Sequence, residues 1–136
     1  LEGLQALRGL HVLVAEDNAV NMLIATALLE HWGVVVAQAA DGRAAVAAVQ
    51  ASLAQGPAFD AVLMDVQMPE MSGHEAARAL REAGYRAPVI ALTAAALVTE
   101  REAALAAGMD DFLTKPVDAE KLQTALLHWC RAGPRR

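Results

Sequence analysis

A doubly wound α/β sandwich, with a five-stranded parallel sheet in the order 2-1-3-4-5, is the fold class this sequence predicts. Three observations predict it. Short apolar runs recur five times, and a stretch of helical character follows each. The runs do not alternate polar with apolar residues, which is how strands read when helices cover both faces of a parallel sheet. Right-handed crossovers then leave few topologies, and this order puts the switch point between strands one and three.

The first strand is expected over residues 11–15. A helix follows from Asn18 or Ala19 to Trp32 and stops at Gly33, a usual residue just past a helix end. Residues 34–39, opening on three valines, suit a buried pleated segment. Asp41 can cap a second helix to about Ser52, which Gly56 and Pro57 break. The third strand covers 61–64. Ser72-Gly-His-Glu75 is a capping box, so a third helix starts there and ends near Gly84. The fourth strand covers 89–92, and its helix begins either near Ala95 or at Thr99, where Thr99 and Glu102 have capping-box spacing. The fifth strand covers 111–114, and Asp118 caps a helix to about Cys130.

With 136 residues the chain holds one domain with a real core. The formal charge of −5, from 11 basic and 16 acidic residues, argues against non-specific nucleic-acid binding. One cysteine, Cys130, excludes an internal disulfide and suits a reducing compartment. No apolar run approaches the roughly 20 residues of a membrane span. The chain starts at Leu1 rather than Met, so 1–9 is expected to be the remnant of a linker, 10–131 the domain and 132–136 a flexible tail.

The chemistry lies at the strand ends. Strand one runs into Glu16 and Asp17, strand three into Asp65, strand four into Thr93, and strand five through Thr114 into Lys115 and Pro116. In a parallel sheet these ends share one edge, where ligands bind. Three clustered carboxylates cannot all ionise without a cation, and oxygen ligands alone suit a hard ion such as Mg²⁺. Alternatively, Glu16 and Asp17 merely favour a helix N-terminus. Asp65 beside a metal could attack phosphorus, or it could be an ordinary loop acid. Lys115 could neutralise a transferred phosphoryl group and Thr93 could donate to it. Equally, one could be a solvated lysine and the other a helix cap. The rarity of cis X–Pro bonds favours a trans Lys115–Pro116 bond on sequence alone.

Four segments together, VLVAEDN (12–18), MDVQMPEMSG (64–73), ALTA (91–94) and GMDDFLTKP (108–116), resemble the response-regulator receiver domain of two-component signalling. The resemblance covers roughly residues 10–129. It implies a flavodoxin-like (βα)₅ fold with Asp65 as phosphoacceptor. It makes Glu16 and Asp17 the acidic pair for Mg²⁺ (Mn²⁺ as an alternative), with Asp65 and the backbone carbonyl of Gln67 as further ligands. Thr93 becomes the switch hydroxyl, Lys115 the phosphoryl-binding lysine and Phe112 the switch aromatic. It also reverses the proline expectation, implying a cis Lys115–Pro116 bond.

The Glu-Asp pair replaces the commoner Asp-Asp and resembles receivers of hybrid sensor histidine kinases. The resemblance therefore implies a histidine kinase or histidine phosphotransfer domain as partner, with no direct contact to nucleic acid or membrane. The expected location is cytoplasmic, with tethering through an inner-membrane sensor kinase as an option. The isolated domain would modify itself and is not expected to be an enzyme in the usual sense. A stand-alone regulator's receiver is the alternative. A Mg²⁺-dependent aspartyl phosphatase would need its nucleophile after the first strand in a D-x-D motif, whereas Asp65 follows the third and is trailed by Gln67. A flavin carrier would need a phosphate-cradling loop where the acidic Glu16-Asp17 stands, and a silent receiver should lack an acid or the lysine.

The first helix carries apolar residues on two sides. Val20, Leu23, Ile24, Ala27 and Leu28 are expected to face the core. Met22, Ala25, Leu29 and Trp32 form a second stripe, which suggests a docking face for an apolar partner, and the resemblance implies a phosphotransfer helix bundle there; alternatively, Trp32 folds onto a neighbouring helix and the others are scattered surface residues. On the last two helices, Arg101, Glu102, Glu120 and Lys121 read as solvated charges as readily as contacts.

Overall fold

The computed structural model describes residues 2–94 and 97–130. In chain order they form α1 (Glu2–Leu7), β1 (His11–Ala15), α2 (Ala19–His31), β2 (Val35–Ala39), α3 (Gly42–Gln55), β3 (Ala61–Asp65), α4 (Gly73–Glu82), β4 (Val89–Thr93), α5 (Val98–Ala106), β5 (Asp111–Thr114) and α6 (Ala119–Cys130). The five strands pair in parallel in the order β2-β1-β3-β4-β5, the predicted one.

The period of two along each strand divides the core into layers. Leu13, Val62, Met64, Val89 and Ala91 face α3, α4 and α5, meeting Val49, Leu80 and Ala104. Val12, Val14, Leu63, Ile90 and Leu92 face the other way, onto α1, α2 and α6, with Leu29, Trp32, Leu122 and Leu126. β3 and β4 are buried throughout and β1 from Val12 onward, as their apolar runs require.

Local chemistry sets the helix starts. Asn18 Oδ1 accepts from the N–H groups of Val20 and Asn21 at 2.9 and 3.0 Å. Asp41 caps α3, Asp118 accepts from Lys121 N, and Ser72 with Glu75 closes the predicted capping box on α4. Arg81 on α4 joins the bottom of the sheet. It donates to the carbonyls of Tyr85, Ala87 and Gly108 and pairs with Asp110 at 2.8 Å.

Three expectations change. Residues 1–9, read as linker, hold α1, and Leu7 and Leu10 are fully buried against the α6 side of the core. The Thr99–Glu102 capping box does not form. Helix α5 starts at Val98 with Leu97 as its N-cap and no side-chain cap, while Ala95 lies outside the described residues. The two faces of α2 are exchanged. Ala25, Leu29 and Trp32 are buried, whereas Val20 and Leu23 are about two-thirds exposed, at 64% and 68%. Apolar residues surround this helix, so periodicity could not choose its inner face. Packing of Trp32 and Leu29 among the buried side chains of the α1–α6 layer chose it. The expected tail, 132–136, lies outside the described residues.

Candidate functional site

Strand parity and strand ends assemble the site. Asp65 is the last residue of β3, Glu16 follows β1 and Lys115 follows β5. Each continues the parity of the residues that face α2 and α6 (Val14, Leu63 and Leu113), so the three side chains meet on one side of the sheet edge. Backbone hydrogen bonds fix the strand ends. Glu16 N donates to Ala39 O at 3.0 Å, Val66 N to Leu92 O at 3.0 Å, and Lys115 N to Thr93 O at 2.7 Å.

Lys115 Nζ lies 3.1 Å from Asp65 Oδ1 and 3.7 Å from Glu16 Oε1. Asp65 Oδ1 also accepts from Gln67 N at 3.1 Å, and Glu16 Oε2 from Asn18 N at 3.1 Å. One carboxylate oxygen each of Glu16, Asp17 and Asp65 falls within 4.8 Å of the others. Glu16 and Asp65 are almost wholly buried, and Asp17 is exposed at the mouth. Burial first, and the neighbouring Asp65 carboxyl with it, raise the Glu16 carboxyl to about 7. The Asn18 N–H and the Lys115 ammonium oppose the rise.

Glu16 Oε1 and Asp65 Oδ2 are buried and have no hydrogen-bond partner, which is costly for a carboxylate. Both belong to the cluster of three acids. All-oxygen donors, two of them buried and one open to water, fit a hard divalent ion that keeps several waters.

Thr93 ends β4 and is buried; it lies one residue past Leu92, the partner of Asp65 in the sheet. Phe112 is half-buried opposite Ala91. The Lys115–Pro116 bond is cis, as the resemblance implied and sequence statistics alone did not; Gly56–Pro57 is cis as well. Of the sites named from sequence, Glu16, Asp17, Asp65 and Lys115 are brought together, with Thr93 on the strand beside them. The four proposed docking residues are not. Ala25, Leu29 and Trp32 are inside and Met22 is half-buried, whereas Val20, Leu23, Ile24 and Ala27 are exposed.

One positioning residue escaped the sequence reading. Gly73 N donates to Val66 O at 2.8 Å, and a Cβ there would stand 2.2 Å from the Asp65 carbonyl oxygen. The helix α4 therefore begins pressed against the end of the acceptor strand. Its signal was present in the Ser72-Gly73 pair, where the residue was read only as part of a cap.

An α/β sheet whose carboxyl edge joins three acids to one lysine defines a class, and comparison supplies the family. Residues 12–127 match the response regulator receiver domain model, and the chain belongs to that family. Among curated relatives, the sensor protein GacS of Pseudomonas syringae pv. syringae is 44% identical over 127 residues, covering 90% of this chain and 14% of that protein. The chain thus spans about a seventh of that relative's length. Among solved structures, the receiver domain of the sensor histidine kinase PA1611 from Pseudomonas aeruginosa PAO1, with a magnesium ion coordinated in its active-site cleft, superposes with a TM-score of 0.78. It is 41% identical and covers 89% of this chain and 97% of its own. The receiver domain of Ssk1, crystallised with the histidine phosphotransfer protein Ypd1 of Saccharomyces cerevisiae, superposes with a TM-score of 0.78 at 28% identity. The match covers 90% of this chain and 89% of that one.

Proposed function

We propose that this receiver domain takes a phosphoryl group from a phosphohistidine onto Asp65, as one relay step of a hybrid sensor histidine kinase on the cytoplasmic side. The observation that carries the assignment is the meeting of Glu16, Asp17 and Asp65 within 4.8 Å, with Lys115 Nζ 3.1 Å from the central acid. Glu16, Asp17, Asp65 and the carbonyl of Gln67 would hold Mg²⁺, which when bound would offset charge on the transferring group. The P–N bond to the donor imidazole breaks, its electron pair stays on the ring, and a P–O bond forms to a carboxylate oxygen of Asp65. Lys115 stays beside that acid and stabilises the charge of both transition state and product. The Gln67 N–H holds Oδ1 and fixes the carboxylate plane.

The product places about two negative charges beside Thr93, whose hydroxyl donates to a phosphoryl oxygen, and Phe112 follows inward. This is a shift between two populated states. The domain modifies itself and turns over no separate substrate. The donor bundle docks on the exposed α2 face of Val20, Leu23, Ile24 and Ala27, a helix-in-groove contact beside Asp17.

Incubation with acetyl phosphate and Mg²⁺ followed by intact mass tests the assignment. One phosphoryl adduct, abolished by Asp65→Asn and by chelation, is expected. An adduct that survives Asp65→Asn would overturn it.

A further inference from the structure

The guanidinium carbon of Arg101 stands 5.6 Å from the centroid of the Phe112 ring, within cation–π range. Arg101 is exposed, and among the described residues no carboxylate forms an ion pair with it. The ring is its recorded charge partner.

Phe112 is in turn placed to feel Thr93. It pairs with Ala91 across β4 and β5, and Ala91 and Thr93 share a sheet face by the period of two. Ring and hydroxyl are thus diagonal neighbours on the side covered by α3, α4 and α5, where the ring packs against the core. The Phe112 backbone is anchored separately. Its N–H donates to Asp111 Oδ1 at 2.8 Å, and Asp111 Oδ2 accepts from Trp129 Nε1 at 3.0 Å. With the main chain tied to α6, the side chain is the part left to move.

We infer that Arg101 is a latch on Phe112: its cation holds the half-buried ring in its present place and so sets how readily the domain switches. An inward move of the ring towards Thr93 separates it from the guanidinium, so the contact favours the unswitched state. The inference rests on the proposed role of Phe112 and adds the group that opposes it. Arg101 acts only through the ring and touches no reacting atom.

The chain contains two phenylalanines, Phe59 and Phe112, so fluorophenylalanine labelling gives two ¹⁹F signals, one of them the switch ring. The full chain is titrated with beryllofluoride at saturating Mg²⁺. Arg101→Ala should lower the midpoint for the Phe112 signal about two- to fivefold, the range of an exposed cation–π contact. Arg101→Lys, which keeps a cation, should lie nearer the wild type; a merely structural role would give no such rescue. An unchanged or higher midpoint for Arg101→Ala overturns the latch while leaving the switch intact. A wild-type Phe112 signal that ignores beryllofluoride, in a chain that still accepts phosphate on Asp65, sinks the switch role of Phe112 and the latch with it.

Discussion

Glu16 is the residue whose burial has the clearest consequence. Its carboxyl sits at about 7 because it is desolvated beside Asp65, so proton and metal compete for it near neutrality. Mg²⁺ affinity should fall about tenfold between pH 8 and pH 6, by one-proton competition, with calorimetry reporting proton release; a flat profile would contradict this. The same shift acts on folding. A carboxyl with a higher pKa in the folded chain takes up a proton on folding. The stability it contributes is present below its unfolded value of 4.5 and is lost as pH rises through about 7 without Mg²⁺. Glu16→Gln should remove that dependence in urea titrations. Lys115 has the opposite role. Lys115→Met should slow acetyl-phosphate labelling by about a hundredfold, as loss of one charge-stabilising group does. It should tighten rather than weaken Mg²⁺ binding, because it removes a cation from the acids. These residues were legible in the sequence because strand ends of one parallel sheet share an edge. Gly73 was not, because its role depends on how closely α4 approaches β3, a distance no motif encodes.

Elements, unlike strand ends, were legible only where polar and apolar residues separate. The sheet order, the Asp41, Ser72 and Asp118 caps and β5 could be placed from sequence. The inner face of α2 could not, because apolar residues encircle the helix and tertiary packing alone decides. The correction changes the experiment that probes docking. Leu23→Glu, on the open face, should leave the unfolding free energy from urea titration within about 0.5 kcal/mol of wild type and spare acetyl-phosphate labelling. It should reduce transfer from a phosphohistidine bundle at least several-fold. Leu29→Glu buries a charge and should instead unfold the domain. Equal transfer rates for Leu23→Glu and wild type would remove α2 from the interface. Gly73→Ala tests the approach of α4: a Cβ 2.2 Å from the Asp65 carbonyl must push the helix away. A stability loss of about 1–3 kcal/mol by denaturant titration is expected, together with slower labelling as the acceptor strand end shifts.

For the whole molecule, Arg81 ties the two ends of one layer together by joining α4 to the turn before β5 and to the β4 entry strand. Arg81→Met would take this donor from the carbonyls of Tyr85, Ala87 and Gly108 and leave Asp110 Oδ2 with the Val89 N–H. It should cost about 2 kcal/mol by denaturant titration, while phosphate acceptance at the far edge persists. The opposite edge has a different character. There, among the described residues, three acids face a single ammonium. Such a field turns away dissolved anions. A bound divalent ion would offset that repulsion, so the crevice admits small phosphorylated compounds only once it is loaded, and the charge that recruits the ion also times the chemistry.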